Sequence, residues 1–322
     1  MLRGRQIETR LVFARETTYG QAPATGAKVK PFFAESLARS NPAQEDFEVG
    51  TPQFNRRDPV NLIDGDVDVT GSVTVPIDTA TLKDWLDLVF GDPVTTGSAP
   101  NLVHTYTSGA AALPSAFLES RAGDFHKQTV GCMATGFSVA LAPQWGQLAK
   151  LQIDFAGSNQ VARAAAPQYA SPAAAPLPAN RRLARQRLGR FLVGGVELGR
   201  ALGLNPRYQN GIEAQRYIGR ADGFVSEMTP GDTSFTDTLT LRVINAAQLN
   251  ALPTRSAPAA VQYGWEIDAN NYLRITANRA YFEDFAHVVD GPGYIQVSPN
   301  LVAIQTDAAP MLTVTLGTSV GV

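Results

Sequence analysis

The sequence contains a single cysteine, Cys132, which excludes an internal disulfide and favours a small buried role for this residue. Three histidines occur, and they lack the spacing of a zinc site. Charged residues make up only 17 % of the chain and the formal net charge is −2, so a general attraction to nucleic acid or anionic membranes is excluded. No segment approaches the roughly 18 apolar residues that span a bilayer. The first ten residues lack the apolar core of an export signal, so the chain is expected to stay in the cell that makes it.

Signals of catalysis and ion binding are weak as well. Asp64, Asp66 and Asp68 have the spacing of the first three ligands of a calcium loop, but Val69 and Val75 stand where that loop needs glycine and glutamate. Serine, histidine and aspartate cannot be paired into a triad from the sequence. We therefore expect no enzymatic activity, no cofactor and no metal.

Alternation of apolar and polar residues predicts β-strands with one buried face. In the last strand of the first half, Lys150, Gln152 and Asp154 alternate with apolar residues. An amphipathic helix is predicted at 77–92, capped by Asp78 or Thr79 and ended by Gly91. The predicted strands of the first half are 6–16, 28–38, 66–77, 130–142 and 147–157, with a hairpin turn at 143–146.

The order of features in the first half recurs in the second. The segment DGDVDVTGSVTVPIDTATL (64–82) resembles PGDTSFTDTLTLRVINAAQL (230–249), which ends in a helix-like stretch around Leu249. A weaker similarity relates residues 40–58 to residues 204–222, since both segments contain Asn-Pro. This repeat predicts a mainly β protein with two β-sandwich or barrel units in tandem, each with a short flanking helix. The units are expected at 1–161 and 187–322, joined by an Ala/Pro-rich linker or arm at 162–186.

Several segments are similar to the tail tube proteins of long-tailed, non-contractile bacteriophages. They are ETTYGQAPATG (16–26), NRRDPVNLIDGDVDVTGSVTVPIDTATLKDWLDLVFG (55–91), VGCMATGFSVALAPQWGQLAKLQIDFAG (130–157), GFVSEMTPGDTSFTDTLTLRV (223–243) and MLTVTLGTSV (311–320). The resemblance implies a helix-flanked β-sandwich that assembles into rings, which stack as a hollow tube in the siphovirus tail and carry the genome to the host. Members with one unit form hexamers, so a duplicated chain is expected to form trimers; one enlarged domain would instead give a hexamer.

The same resemblance implies the partners. They are further copies of the chain, the tape measure protein, and the tail terminator and distal tail proteins, with double-stranded DNA passing without specific binding and no membrane involved. Assembly is expected in the cytoplasm of the bacterial host, and the final location is the virion tail.

Three sets of candidate residues follow from this interpretation. Polar residues on the repeated strands are candidates for the tube lumen, with an outward, solvated face as the alternative: Asp64, Asp66, Asp68, Thr70, Ser72, Thr74, Ser234, Thr236, Thr238 and Thr240. Two polar stretches, 40–62 and 204–223, are candidates for ring-to-ring contacts. Their candidate residues are Glu45, Asp46, Glu48, Arg56, Arg57, Arg207, Glu213 and Arg216. Arg181, Arg182 and Arg185 are candidates for an arm that pairs with acidic surface of a neighbouring subunit, with a solvated turn or a phosphate-binding patch as alternatives.

Two other functions remain open at this stage. A tail terminator or completion protein would form one ring without polymerising. A β-sandwich adhesin or carbohydrate-binding module is less consistent with aromatic residues at 8 % of the chain.

Overall fold

The computed structural model describes residues 9–46, 61–141, 147–174, 189–198, 201–218, 223–243, 250, 252–283 and 295–319. These residues form a mainly β structure in which one helix, α1, extends over Leu82–Phe90. The first-half strands are β1 Thr9–Arg15, β2 Lys28–Lys30, β3 Ala34–Glu35, β4 Ala38–Ser40, β5 Ala43–Asp46, β6 Asn61–Asp64, β7 Asp68–Pro76, β8 Val94–Thr96, β9 Leu102–Thr107, β10 Ala116–Ala122, β11 Phe125–Ser138, β12 Lys150–Gly157 and β13 Asn159–Ala164. The second-half strands are β14 Gly189–Val193, β15 Val196–Glu197, β16 Ala201–Gly203, β17 Arg207–Gln209, β18 Glu213–Gln215, β19 Glu227–Thr229, β20 Ser234–Thr238, β21 Thr240–Val243, β22 Ala259–Glu266, β23 Tyr272–Phe282, β24 Ile295–Val297, β25 Asn300–Ala303 and β26 Leu312–Thr318.

Eight antiparallel strands cross both halves of the chain in the order β4, β7, β12, β11, β17, β20, β25, β23, and we call them the spanning sheet. The two halves meet inside it where β11 pairs with β17, with Phe137 opposite Tyr208. A second layer contains β1, β10 and β13, which extend from the first part of β11, and β22, β26 and β9, which extend from β23. Long strands that change partners midway therefore join the two layers.

Helix α1 packs into the apolar core beneath the spanning sheet. The ring of Trp85 lies edge-on to Phe13 at 5.3 Å between centroids, and Phe90 stacks on Tyr208 from the second half at 5.0 Å. The helix begins later than predicted because Asp78 first forms a turn, accepting hydrogen bonds from the amide of Ala80 and the hydroxyl of Thr81. It ends at Gly91 as predicted, where φ is +82° and the amide donates to the Asp87 carbonyl.

The order of strand pairing in the first half recurs in the second. In β7, β12 and β11, Thr70 lies opposite Ala156, which lies opposite Met133. In β20, β25 and β23, Thr236 lies opposite Val302, which lies opposite Tyr281. Thr70 and Thr236 are 166 residues apart, the same offset as between the sequence repeats at Gly65 and Gly231. The longer sequence echo at 64–82 and 230–249 therefore coincides with matching strand registers.

The hairpins that precede these strands also correspond. Hairpin β5–β6 leads into β7 through Gly65, and hairpin β18–β19 leads into β20 through Gly231. A Cβ at Gly65 would lie 2.2 Å from the Pro42 carbonyl oxygen, and one at Gly231 would lie 2.5 Å from the Gly211 carbonyl oxygen. Since real Cβ atoms do not approach so closely, both repeats need glycine at this close passage of backbone.

Some predictions about local structure were wrong. The single strand predicted at 28–38 is three short strands in two layers: β2 pairs with β1, while β3 and β4 pair with β7, and Pro31 lies between them. Proline lacks the amide hydrogen that a continuous ladder needs. The Asn-Pro echo does not match the structure either, because Ser40 and Gln209 hold the equivalent register positions, opposite Asp68 and Ser234.

The remaining boundaries differ in smaller ways. The predicted strands 66–77, 130–142 and 147–157 correspond to β7, β11 and β12, and β11 begins five residues earlier than predicted. The linker predicted from residue 162 begins later, since β13 extends to Ala164 and the backbone of Ala173 bonds to that of Ala27 and Val29. The predicted turn at 143–146 lies outside the described residues, and so does the helix-like stretch around Leu249, apart from residue 250.

The core contains one carboxyl group with a strongly changed pKa. Asp237 in β20 is 2 % exposed, and burial raises its pKa from 3.8 to about 6, although hydrogen bonds from Tyr263 and the amide of Asn205 favour the charged form. A carboxyl whose pKa is higher in the folded state binds its proton more tightly there. This gain in stability is complete below the unfolded pKa and is lost as the pH rises through about 6.

We therefore expect Asp237→Asn to remove a pH dependence of stability. In the unmodified chain, Asp237 contributes on the order of 2 kcal/mol more to stability at pH 4 than at pH 8. The free energy of unfolding in urea, measured at both pH values for both proteins, isolates this contribution because other carboxyl groups are common to the pair. An equal pH dependence in the two proteins would show that the pKa of Asp237 is not raised by folding.

Candidate functional site

One face of the spanning sheet is polar along most of its width. Because side chains alternate across a strand and neighbours in register share a face, one row runs through Thr74, Gln152, Ser138, Arg207 and Thr236. A second row contains Ser72, Asp154, Gly136, Gln209 and Ser234. We call this surface the polar face.

The opposite face of the same strands is apolar and buried. Alternation in β12 is complete: Leu151, Ile153 and Phe155 are buried in the core, while Lys150 and Gln152 are exposed. The core side of the sheet includes Val73, Phe137, Tyr208, Phe235 and Leu301. The predicted division of this strand into one packed and one polar face is confirmed.

The middle of the polar face is concave. A cavity of about 520 Å³ lies over the junction of the two halves, and most of the side chains around it are polar. The charged groups among them are Asp154 and Arg207, whose Oδ2 and Nη2 atoms are 4.0 Å apart. The surface therefore combines hydroxyl and amide groups with a weak, solvent-accessible ion pair.

Besides Asp68, six of the ten residues predicted for the lumen lie together on this face. They are Thr70, Ser72 and Thr74 in β7, and Ser234, Thr236 and Thr238 in β20. Asp68 begins β7 on the same face, whereas Asp64 lies in hairpin β5–β6 and Thr240 lies in β21, opposite Gly203 in a separate small sheet. The alternation of polar residues from Ser234 wrongly included Thr240 in this face, because the chain leaves the spanning sheet at Leu239.

Arg216 connects the halves beside this face. Its Nη2 atom donates to Asp68 Oδ1 at 2.5 Å and to the Val67 carbonyl at 3.1 Å, and its Nε atom is 3.7 Å from Asp66 Oδ2. The amide of Val67 also donates to the Gly223 carbonyl at 3.0 Å. Two residues predicted for the lumen and one predicted for ring contacts thus form a single ion-pair cluster within the chain.

The other residues predicted for ring contacts are separated in space. Arg207 lies on the polar face, while Glu213 is exposed in β18, opposite Thr229. Glu45 and Asp46 lie in β5, opposite Leu62 and Asn61. Glu48, Arg56 and Arg57 lie outside the described residues, as do Arg181, Arg182 and Arg185 of the predicted arm.

The titratable residues that could support catalysis are positioned for structure. Cys132 is fully buried, and burial raises the pKa of its thiol well above the ordinary value. Burial lowers the pKa of His104, whose Nδ1 lies 2.8 Å from the Thr95 hydroxyl. Among the residues that the structure describes, no group of three or more His, Cys, Asp or Glu side chains is arranged to hold a metal ion. In the same part of the chain, no helix has the length and apolar character to cross a membrane.

A Gly-x-Ser-x-Gly spacing occurs at 317–321 and was not recognised in the sequence analysis. Ser319 follows β26, and its hydroxyl donates to Asn271 Oδ1 at 3.1 Å. The same oxygen accepts the Ser319 amide at 3.2 Å. Since an asparagine oxygen cannot act as the base that activates a serine, these contacts fix the end of the strand.

The polar, concave face of the spanning sheet is backed by an apolar core. A sequence model described as phage tail tube protein matches residues 7–315. The chain therefore belongs to the phage tail tube protein family, a structural family without enzymatic activity, and is a component of the virion tail. A search of curated proteins found no match.

Proposed function

We propose that the chain polymerises into stacked rings that form the tail tube of a siphovirus, the conduit for the genome on its way to the host. The observation that carries this proposal is the spanning sheet, which crosses both halves with a polar face on one side and the core on the other. Among the described residues, β4 at one end of this sheet pairs only with β7, and a closed ring would cover such an edge, which is hazardous when exposed.

The polar face is the proposed lining of the tube. Duplex DNA carries about one charge per 1.7 Å of its axis, so a bore rich in lysine and arginine would hold it in place. Hydroxyl groups dominate the face, and Arg207 lies beside the carboxylate of Asp154. This composition supports passage of double-stranded DNA without specific binding.

Three copies per ring are the proposed stoichiometry. The recurrence of strand pairings supports two tail-tube units, at 1–161 and 187–322, so three chains would supply six units. A hexamer remains the alternative if the chain acts as one enlarged unit, and the apolar core shared by the two halves is the observation in its favour.

The further partners follow from a role in the tail. We propose contacts with the tape measure protein inside the tube and with the tail terminator and distal tail proteins at its ends, after assembly in the bacterial cytoplasm. The arm arginines Arg181, Arg182 and Arg185 are proposed to pair with carboxylates of a neighbouring subunit. The family match favours a tube over a single terminator ring or an adhesin.

Electron microscopy of the purified protein tests this function. We expect long tubes of constant bore, with a repeating ring whose mass corresponds to three chains. Isolated rings that never stack would indicate a terminator or completion protein. A protein that stays monomeric under all assembly conditions would contradict the proposed function.

A further inference from the structure

Hairpin β18–β19 makes an apolar contact between the halves, and among the described residues hairpin β5–β6 shows no equivalent burial. Met228 of this hairpin is 6 % exposed and packs with Met133 of β11, and Ala156 of β12 borders the same cluster. Val225 belongs to the cluster, and its carbonyl accepts a hydrogen bond from the Ser158 hydroxyl at 2.7 Å. The hairpin of the second half is therefore docked on two strands of the first half.

The strand registers identify the equivalent residues in the other half. Leu62 corresponds to Met228, since each lies in the second strand of its hairpin, three residues before the glycine at the close passage. Tyr281 corresponds to Met133 and Val302 to Ala156, because each pair occupies the same place beside Thr236 or Thr70.

These equivalents are accessible in the single chain. The side chain of Leu62 is 62 % exposed and that of its neighbour Ile63 is 53 % exposed, compared with 6 % for Met228. Tyr281 and Val302 are half-buried. An apolar residue that is buried at one junction and exposed at its equivalent position indicates a second junction, which the described residues of the single chain do not form.

Within one chain, hairpin β5–β6 cannot reach the equivalent strands β23 and β25 as long as the spanning sheet stays open. Hairpin β18–β19 directly follows β17 in the chain and docks on the two strands that precede β17 in the spanning sheet, β11 and β12. Hairpin β5–β6 directly follows β4 in the chain, and β4 is the first strand of that sheet among the described residues. The strands β25 and β23 are at the opposite end, six and seven interstrand steps away, which is roughly 29 and 34 Å along the sheet at about 4.8 Å per step.

We propose that hairpin β5–β6 of one copy docks on β23 and β25 of the next copy, with Leu62 against Tyr281 and Val302. The inference rests on the proposed function, since the ring supplies the second copy. The contact is head-to-tail, so each chain gives its hairpin to one neighbour and receives a hairpin from the other. Within a three-chain ring, junctions inside chains and junctions between chains would then alternate.

Side chains rather than the backbone of β4 carry this contact. The carbonyl of Leu37, the residue before β4, accepts hydrogen bonds from Lys127 and Gln160, and the amide of Arg39 in β4 donates to Gln160 Oε1 at 3.1 Å. The Gln160 amide thus satisfies groups that a neighbouring strand would otherwise pair. Because these hydrogen bonds are already made within the chain, the exposed apolar residues of the hairpin supply the attraction between copies.

Cysteine cross-linking tests the contact directly. The protein carries Leu62→Cys and Val302→Cys together; Cys132 is buried and stays in place. After assembly, treatment with an oxidant or a short bismaleimide is expected to produce covalent multimers on non-reducing gels. Met228→Cys with Ala156→Cys is the matched control, which should cross-link within one chain and remain monomeric in mass.

The outcomes separate this inference from the proposed function. Rings or tubes that form normally but give only monomeric bands, while the control pair reacts, would overturn the docking and leave the tube function intact. Failure of the unmodified chain to form rings or tubes would overturn the proposed function and this contact with it.

A second variant addresses the contact without added cysteines. Leu62→Asp should leave folding unchanged because the side chain is exposed, and it should weaken ring formation by about tenfold or more at each junction. Val196→Asp, at a residue that is 72 % exposed in the second half, is the control and should assemble normally. Assembly of Leu62→Asp with the same concentration dependence as the unmodified chain would contradict the contact.

Discussion

Trp85→Ala is expected to destabilise the protein by about 3–5 kcal/mol, the usual cost of removing a large aromatic side chain from a core. Trp85 is 1 % exposed and contacts Phe13 and Phe155. Trp265 from the second half is equally buried and belongs to the same apolar core. Because one core spans both halves, the whole chain is expected to unfold in a single transition that either substitution lowers.

Chemical denaturation followed by tryptophan fluorescence and far-ultraviolet circular dichroism measures this effect. Trp265→Ala should shift the same single transition, and Val196→Ala, at an exposed position, should change stability by no more than about 0.5 kcal/mol. Two separate transitions, with Trp85→Ala lowering only one of them, would contradict the shared core. They would indicate that units 1–161 and 187–322 are independent domains.

Substitution of lysine for threonine on the polar face should have the largest effect on DNA passage. Thr70 and Thr236 are exposed, equivalent positions of β7 and β20, so the pair Thr70→Lys with Thr236→Lys places new cations on both halves. We expect tubes to form, because both side chains lie away from the core. DNA release should slow and the titre of infectious particles should fall at least about tenfold, because each phosphate that is neutralised adds salt-dependent affinity.

Release of DNA from purified particles, followed at several salt concentrations, checks this prediction. Release from the lysine variant should recover as salt rises, since screening weakens contacts with phosphates. Thr70→Ser with Thr236→Ser is the control for the loss of threonine and should behave as the unmodified protein. Normal release from lysine-bearing tubes at low salt would show that the polar face is not the lining of the bore.

The sequence predicts the faces of the long strands well. Alternation along β7 and β12 is regular because each has one face against the core, and a slip of one residue would expose every valine. Helix α1 was predicted from apolar spacing and from Gly91 for the same reason: local chemistry and burial agree. The sequence repeat at 64–82 and 230–249 also located strands with matching registers.

The contacts between distant segments could not be predicted from the sequence. The pairing of β11 with β17 joins segments about seventy residues apart, and no sequence feature of either strand identifies its partner. The ion pair between Arg216 and Asp68 depends on where a hairpin lies after folding, so these residues were assigned to different surfaces. The division of residues 28–38 among three strands could have been noticed at Pro31, which interrupts any continuous ladder.

A reconstruction of assembled tubes by cryo-electron microscopy would show directly whether the polar face lines the bore. We expect rings of three chains, with Thr70 and Thr236 on the inner wall and Leu62 of each chain against Val302 of the next. A tube whose inner wall is formed by another surface, with the polar face of the spanning sheet turned outward, would contradict it.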